Sequence, residues 1–254
     1  MNGELSGRHA LVTGASRGIG RVIAAHLALQ GAHVSVHGRD SEALARVCGE
    51  IEDHGGVCRP VVADLTVPDQ IERLVREAED GLGSIDVLVA NAGGSPSRPQ
   101  PVEETSDTDF LAAVDLNLVA TFRLIRAVLP EMKGRGRGSI ITMSSAAARR
   151  PSAQAPTAYA AAKAGIELLT KNVALQAGPH GVRANCVAPG TIITERTAAQ
   201  IPGAIQERMS SEHPLQRLGT PLDVAEAVLY LAGDRSAWVT GVVLDVAGGS
   251  VITQ

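Results

Sequence analysis

Tyr159 and Lys163 are the two residues whose types and spacing point most directly to chemistry. They lie four residues apart in a segment of helical periodicity, so their side chains share one face of the helix. A free tyrosine titrates near ~10, and lowering its pKa by about three units costs the protonated form roughly 4 kcal/mol of relative stability. A cation a few ångströms away supplies shifts of that order. The pair therefore predicts a phenol that exchanges protons near neutral pH, with Lys163 acting first as a charge.

The alternative for Tyr159 is an ordinary half-buried tyrosine. We expect that role for Tyr230, which has no lysine at helical spacing.

A glycine-rich turn near the N-terminus indicates a nucleotide site. The first apolar run leads into Thr13-Gly14-Ala15-Ser16-Arg17-Gly18-Ile19-Gly20 and then a helix, which places backbone amides and a helix N-terminus where they can receive a pyrophosphate. The spacing is G-x-x-x-G-x-G, and such glycines can also serve sharp turning and close packing alone. Because strand, turn and helix occur in the required order, we predict that cofactor is bound by Gly14, Ser16, Arg17, Gly18, Ile19 and Gly20.

The end of the second predicted strand, Val36-His37-Gly38-Arg39, suggests which dinucleotide binds. A carboxylate there would accept hydrogen bonds from the adenosine ribose and repel a 2'-phosphate. This sequence has glycine followed by Arg39, which together with Arg17 favours NADP(H) over NAD(H). The alternative is two solvated surface arginines, and Asp40 weakens the positive field.

Seven short apolar runs alternate with amphipathic stretches along the chain. Most runs are continuous, which is typical of parallel strands covered on both faces. We therefore predict an α/β fold: one doubly wound, largely parallel sheet of about seven strands, with helices on both faces and a single domain over residues 1–254. The predicted helices are Ile19 to Gln30, Ser41 to His54, Pro68 to Asp80, Thr108 to Met132, Thr157 to Ala177 and Pro221 to Leu231.

Two segments do not fit this pattern: the Pro-rich stretch 94–101, and 191–214 before the last helix. Either could border a substrate cleft or form a lid.

Composition excludes several classes of protein. The 254 residues carry a formal charge of -4 without basic runs, so we expect no nucleic-acid partner. No stretch resembles a secretory signal or approaches the ~20 apolar residues of a membrane span, so we expect a cytoplasmic protein without membrane attachment. Cys48, Cys58 and Cys186 are an odd number without C-x-x-C spacing. This pattern suggests buried free thiols, with neither a disulfide framework nor a metal site.

Asn91-Ala92-Gly93, Ser145, the Tyr159–Lys163 pair, Pro189-Gly190 and Gly248-Gly249 occur in one order along the chain. In these motifs the sequence resembles the short-chain dehydrogenase/reductase family over essentially its whole length. The resemblance implies a Rossmann-type sheet, a nicotinamide cofactor and a homotetramer. It also implies hydride transfer between the nicotinamide and a carbonyl or secondary alcohol carbon.

The resemblance implies four catalytic residues, namely Asn117, Ser145, Tyr159 and Lys163. Ser145 would hydrogen-bond the substrate oxygen, although it precedes Tyr159 by fourteen residues, one more than is usual, which we attribute to an extra residue in the loop 146–158. Asn117 would hold a water that relays protons to Lys163. The alternative for Asn117 is a polar residue that bends a helix.

The resemblance also implies further cofactor contacts. Asp64 and Leu65 would lie near the adenine, and Lys163 would bind the nicotinamide ribose hydroxyls. Thr194 would lie at the nicotinamide amide. Asp64 could equally cap its own loop. The remaining expected cofactor residues are Asn91, Ala92, Gly93, Tyr159, Pro189, Gly190 and Ile192.

The substrate is the least determined feature. The motifs most resemble bacterial 3-oxoacyl-(acyl-carrier-protein) reductases, although His180 stands where those enzymes often carry an arginine. An acidic carrier, a CoA or a carboxylate could be attracted by Arg135, Arg137, Arg149 and Arg150, which could equally be solvated surface. Two alternatives stay open: a dehydrogenase of a sugar, polyol, steroid or secondary-metabolite ketone, and a non-catalytic nucleotide-binding sensor or scaffold.

Overall fold

The seven apolar runs form one parallel β-sheet in the computed structural model, which describes residues 3–252. Its strand order is β3-β2-β1-β4-β5-β6-β7, and every neighbouring pair is parallel. The strands are β1 His9–Thr13, β2 His33–Gly38, β3 Val57–Val62, β4 Val87–Ala90, β5 Gly138–Met143, β6 Val182–Pro189 and β7 Val243–Val246. The predicted doubly wound Rossmann-type sheet is confirmed.

Helices cover both faces of the sheet because consecutive strand residues point to opposite sides. In β1, Ala10 and Val12 pack toward α1, α2 and α10, whereas Leu11 packs toward α3, α5 and α7. The helices are α1 Gly18–Leu29, α2 Ser41–Asp53, α3 Pro68–Leu82, α4 Asp107–Val114, α5 Ala120–Arg135, α6 Ala146–Arg149, α7 Thr157–Ala177, α8 Glu195–Gln200, α9 Gly203–Ser211 and α10 Pro221–Ala232. Across residues 3–252, the helices include no segment both long and apolar enough to cross a bilayer.

The two edge strands are less covered than the continuous apolar runs predict. Val57 and Val62 of β3 are 41% exposed, and β3 contains Pro60, which an edge strand tolerates because one side forms no ladder hydrogen bonds. All four residues of β7 are only partly buried. Covering on both faces therefore describes the inner strands.

The segment predicted as one helix, Thr108 to Met132, is interrupted. α4 ends at Val114, a π-helical turn spans Asp115–Val119, and α5 begins at Ala120. Single π-helical turns of this kind often lie at functional sites, and this turn contains Asn117.

The prediction of free thiols is wrong for two of the three cysteines. Cys48 on α2 and Cys58 on β3 form a disulfide. A tight turn follows α2, so the last part of that helix lies against β3. The two cysteines are ten residues apart, a spacing that matches no sequence motif. Cys186 is a buried free thiol, as predicted.

The segment 94–101 is irregular, whereas 191–214 contains α8 and α9. The predicted domain also includes residues 1, 2, 253 and 254, which lie outside the described part of the chain.

Candidate active site

The predicted site residues follow the carboxyl ends of successive strands. Because the sheet is parallel, these ends lie along one edge. The order of the strands changes direction between β1 and β4, since β2 and β3 lie on one side of β1 and β4 to β7 lie on the other. A crevice at such a reversal is where ligands bind in doubly wound sheets.

The turn between β1 and α1 has the shape that a bound pyrophosphate needs. Gly14 and Gly18 have φ of +66° and +57°, which favour glycine over other residues. A Cβ on Gly20 would overlap the carbonyl oxygen of Gly14. The turn therefore fits a dinucleotide, since only glycines leave its backbone open to close approach.

The Asn91-Ala92-Gly93 triplet after β4 braces this turn. The Asn91 side-chain amide donates to the carbonyl oxygen of Thr13 at 2.9 Å, and the Ala92 amide donates to the Thr13 hydroxyl at 3.1 Å. Asn91 therefore acts on the turn through its side chain. Gly93 lies beside the catalytic candidates, because a Cβ there would be 2.6 Å from Asn117 Oδ1 and 3.3 Å from Lys163 Nζ.

His37 also supports the turn, a role that sequence reasoning missed because only its place at the end of β2 points to it. The Gly14 amide lies 3.4 Å from His37 Nδ1, and Nε2 lies 3.0 Å from the carbonyl oxygen of Ala63. Burial lowers the pKa of His37 to about 4. The imidazole is therefore neutral at pH 7 and can accept through Nδ1 while it donates through Nε2.

The end of β2 presents positive charge from two arginines, one of which, Arg39, lies close enough to Asp64 to lower the pKa of that carboxyl. Arg17 and Arg39 are exposed, and Gly38 packs against Ser16. The Asp40 side chain accepts a hydrogen bond from the Ala43 amide at 3.0 Å and caps α2. Asp40 is therefore engaged in a helix cap.

Asp64, after β3, caps its own loop. Its Oδ1 accepts from the Thr66 amide and hydroxyl at 2.9 and 2.8 Å, and these hydrogen bonds lower its pKa. The capping alternative is thus realised. Leu65 is buried in the core beside it.

Ser145 and Tyr159 are brought together. Ser145 follows β5 and caps α6, where its hydroxyl accepts from the Ala147 amide at 3.2 Å. Its side chain also lies close enough to Tyr159, on the first turn of α7, to lower the pKa of that phenol.

Lys163 is almost fully buried, at 4% exposure, and lies one turn beyond Tyr159. Its Nζ donates to the carbonyl oxygen of Met143 at 2.7 Å and lies 5.6 Å from the centre of the Tyr159 ring. Burial lowers the pKa of Lys163 to about 8. Lys163 therefore remains mostly protonated at neutral pH.

The predicted lowering of the tyrosine pKa by the lysine is wrong. Burial raises the pKa of Tyr159, and the hydrogen bond from Ser145 offsets this only in part. The physical reason is that desolvation of the phenolate dominates while the ammonium is hydrogen-bonded to Met143.

Asn117 is fully buried in the π-helical turn. Its Oδ1 accepts from the Gly94 amide at 3.0 Å, and its Nδ2 lies within hydrogen-bond distance of the carbonyl oxygens of Gly94 and Ala113. It therefore joins the loop after β4 to the helix facing Lys163.

The remaining predicted cofactor residues follow β6. A Cβ on Gly190, next to Pro189, would lie 2.9 Å from the Cα of Ala247. Ile192 pairs with Gly219 in an isolated bridge. Thr194 caps α8, with its hydroxyl accepting from the Thr197 amide, and its methyl group would lie 3.5 Å from a Cβ on Gly18. The start of α8 therefore approaches the glycine-rich turn.

The four arginines considered for a carrier do not form one surface. Arg135 and Arg137 precede β5 at the opposite edge of the sheet, where both pair with Asp86. Arg149 pairs with Glu167 and Asp245, whereas Arg150 is exposed and donates to the carbonyl oxygen of Ser250. His180, just before β6, also lies toward the opposite edge. Within residues 3–252, no group of His, Cys, Asp and Glu side chains could hold a metal ion.

The sheet order, the glycine-rich turn and the grouping of Ser145, Tyr159 and the buried Lys163 define a Rossmann-type oxidoreductase. The family described as Enoyl-(Acyl carrier protein) reductase matches residues 14–250. The 7alpha-hydroxysteroid dehydrogenase of Escherichia coli K12 is 37% identical over 98% of this chain and 96% of its own length. The 3-oxoacyl-(acyl-carrier-protein) reductase of Thermotoga maritima is 36% identical over 98% of this chain and all of its own length.

A solved structure of 7 alpha-hydroxysteroid dehydrogenase, complexed with NADH and 7-oxo glycochenodeoxycholic acid, superposes with a TM-score of 0.93. It is 37% identical, and the match covers 98% of this chain and 96% of that one. The protein belongs to the short-chain dehydrogenase/reductase family and is an oxidoreductase that acts on CH–OH or carbonyl groups.

Proposed function

We propose that this protein is an NADP(H)-dependent oxidoreductase in which Tyr159 exchanges a proton with the oxygen of a carbonyl or secondary alcohol. When bound, the nicotinamide supplies or accepts the hydride at the carbon. The observation that carries the proposal is the placement of Ser145 beside Tyr159, one helical turn from the buried Lys163, at the crevice where the strand order reverses.

The side chains divide the work on the substrate oxygen. Ser145 donates a hydrogen bond to it, and the Tyr159 phenol delivers a proton as negative charge develops there. The C=O π bond breaks, a new O–H bond forms, and a phenolate remains. Lys163 supplies positive charge to that phenolate and contacts the nicotinamide ribose. Asn117 holds the loop after β4 against the helix facing Lys163 and positions the water that returns a proton.

The electrostatics set the protonation state of Tyr159 at neutral pH. Burial raises the pKa of Tyr159, so the phenol holds its proton there, which is the state from which reduction begins. Oxidation of an alcohol begins from the phenolate, the state that reduction leaves.

NADP(H) is favoured over NAD(H) by the charges at the end of β2. Arg17 and Arg39 are exposed beside Gly38, and Asp40 is occupied as a helix cap. A 2'-phosphate would gain charge-assisted hydrogen bonds from these guanidinium groups and meet no carboxylate at position 38. We propose the same further cofactor contacts as the sequence predicts, except that Asn91 acts indirectly, by holding the glycine-rich turn in place.

Titration of protein fluorescence with NADPH and NADH tests this preference. We expect NADPH to bind at least tenfold more tightly, and Arg39→Ala to remove most of the difference without weakening NADH. Arg76→Ala is the control, since that exposed arginine on α3 lies away from the end of β2. Equal affinities in the unaltered protein, or an Arg39→Ala variant with unaltered NADPH affinity, would refute the assignment.

Two substrate classes are supported by the relatives. A 3-oxoacyl thioester is the first, from the similarity to the Thermotoga maritima enzyme. A keto-steroid is the second, from the 37% identity to the Escherichia coli dehydrogenase. The arginine placements favour small substrates over docking of an acidic carrier through Arg149. NADPH consumption with acetoacetyl-CoA, an acetoacetylated carrier protein and 7-oxo glycochenodeoxycholic acid separates these classes.

We also propose a cytoplasmic homotetramer in which residues 1–254 form one domain. Two groups of exposed apolar side chains support the assembly. Phe122, Leu168 and Leu175 lie on α5 and α7, and Leu222 and Trp238 lie on α10 and before β7. Exposed apolar surface of this kind is typical of subunit contacts. Light scattering at micromolar concentration should give four times the 26.2 kDa chain mass.

A further inference from the structure

An ionic cluster of three half-buried side chains lies next to the candidate active site and consists of Arg149, Glu167 and Asp245. Arg149 Nη1 lies 3.0 Å from Glu167 Oε2, and Arg149 Nε lies 2.8 Å from Asp245 Oδ1. The three side chains are 16%, 12% and 21% exposed. One guanidinium therefore joins α6 to α7 and to β7, which is distant from both in sequence.

The cluster contacts the polypeptide immediately next to the candidate catalytic residues. The Ser144 hydroxyl, which is buried, lies 2.8 Å from Glu167 Oε1 and 3.1 Å from the carbonyl oxygen of Lys163. Glu167 is one turn beyond Lys163 on α7. Arg149 is the last residue of α6, the four-residue helix that Ser145 caps. Ser145 therefore lies between Ser144, which is linked to Arg149 through Glu167, and α6, which ends at Arg149.

The charges make this arrangement sensitive to loss of the arginine. Two carboxylates share one guanidinium, and burial raises the pKa of Asp245 despite that neighbour. Removing the cation would leave half-buried carboxylates facing each other, which is far less favourable than the paired state. The planar guanidinium fork reaches two carboxylates at once, and an ammonium reaches them less well.

We propose that Arg149 is a positioning residue that fixes the Ser145 hydroxyl relative to the Tyr159 phenol through its ion pairs with Glu167 and Asp245. The inference rests on the catalytic role proposed for Ser145. A hydroxyl displaced by about 1 Å from its working position can cost on the order of a hundredfold in rate. Arg149 itself contacts neither substrate nor cofactor in this account.

The test is a double-mutant cycle between Arg149→Met and Ser145→Ala. Turnover is measured with NADPH and acetoacetyl-CoA, or with whichever compound of the panel above is reduced fastest. In the unaltered background, we expect Arg149→Met to lower kcat by roughly tenfold to a hundredfold. In the Ser145→Ala background it should lower kcat less than twofold, because no serine hydroxyl remains to be misplaced.

Arg150→Met is the matched control. It removes the same charge from the next residue, whose side chain is exposed and donates to the carbonyl oxygen of Ser250. We expect its kcat to be unchanged. NADPH affinity, measured by fluorescence without substrate, should change less than twofold in both variants. A loss caused merely by less folded protein would lower kcat equally in both backgrounds.

If Arg149→Met does not fold, Arg149→Lys takes its place in the test, because it keeps the positive charge. We expect a threefold to tenfold loss in the unaltered background and none with Ser145→Ala. Equal losses in the two backgrounds, for either variant, overturn the inference while the proposed chemistry stands. If Ser145→Ala alone leaves kcat unchanged, the proposed role of Ser145 fails and the inference fails with it.

Discussion

The side-chain nitrogen of Lys163 donates a 2.7 Å hydrogen bond to the carbonyl oxygen of Met143, at the end of the strand that leads to Ser145. The lysine is therefore held by the sheet. This explains how a buried ammonium can sit near Tyr159 while burial still raises the pKa of the phenol.

The buried lysine predicts a rise in stability with pH. The pKa of Lys163 is about 8 in the folded chain and 10.5 when it is free. Between these values the unfolded state binds the extra proton, so the free energy of unfolding increases with pH. The free energy of unfolding of the unaltered protein, taken relative to that of Lys163→Met, should therefore rise by roughly 2 kcal/mol from pH 7.5 to 10.

Urea denaturation of the two cofactor-free proteins at both pH values measures this difference. Comparing them cancels titrating groups that do not interact with Lys163. The Cys186 thiol does interact with Lys163, but burial raises its pKa to about 11, so it stays mostly protonated up to pH 10. A difference that is constant with pH would show that Lys163 is not desolvated as described.

The same groups predict opposite pH dependences for the two reaction directions. In reduction, kcat/KM should be flat from pH 6 to 7.5 and decline above about 8 as Lys163 loses its proton. In alcohol oxidation kcat/KM should rise from pH 6 to about 8, because the phenolate is required, and level off above that as Lys163 loses the charge that stabilises the phenolate. Initial rates from pH 6 to 10 check both. A reduction profile that falls below pH 7 would contradict the account.

Two helical glycines give a matched test of the nucleotide turn. A Cβ on Gly20 would overlap the Gly14 carbonyl oxygen, whereas a Cβ on Gly49 in α2 would meet no heavy atom within 4 Å outside its own helix. Gly20→Ala should weaken NADPH binding at least tenfold. Gly49→Ala should leave binding unchanged and stabilise the chain by about 0.5–1 kcal/mol. Equal NADPH affinity in the two variants would argue against a pyrophosphate at this turn.

The disulfide predicts a thiol count. Under denaturing but non-reducing conditions, an alkylating reagent should modify Cys186 alone, and mass spectrometry of the intact protein counts the modified cysteines. After reduction, all three cysteines should react. Three modified cysteines without reductant would show that Cys48 and Cys58 are not joined in the purified protein.

The fold and the main site were largely predictable from sequence because both depend on short-range patterns. Continuous apolar runs gave the parallel sheet, and the four-residue spacing placed Tyr159 and Lys163 on one face of α7. The interruption at Asn117 was not predicted, because Thr108 to Met132 keeps helical periodicity through the π-helical turn. The sign of the Tyr159 pKa shift was also missed, since burial is a tertiary property.

Contacts between distant segments account for the other omissions. His37 supports Gly14 only because β1 and β2 are neighbours in the sheet. Arg149 meets Asp245 across 96 residues, and nothing in the local sequence distinguishes it from Arg150. The joining of Cys48 to Cys58 likewise depends on how α2 packs on β3.

The most direct test of the central claim is the effect of Tyr159→Phe on turnover and on NADPH binding. The variant keeps the ring and removes the only group proposed to deliver a proton to the substrate oxygen. We predict that kcat falls by roughly a hundredfold to ten-thousandfold, while the fluorescence-measured Kd for NADPH changes less than threefold. A variant that binds NADPH and retains most of its turnover would contradict the assignment of Tyr159 as the proton donor.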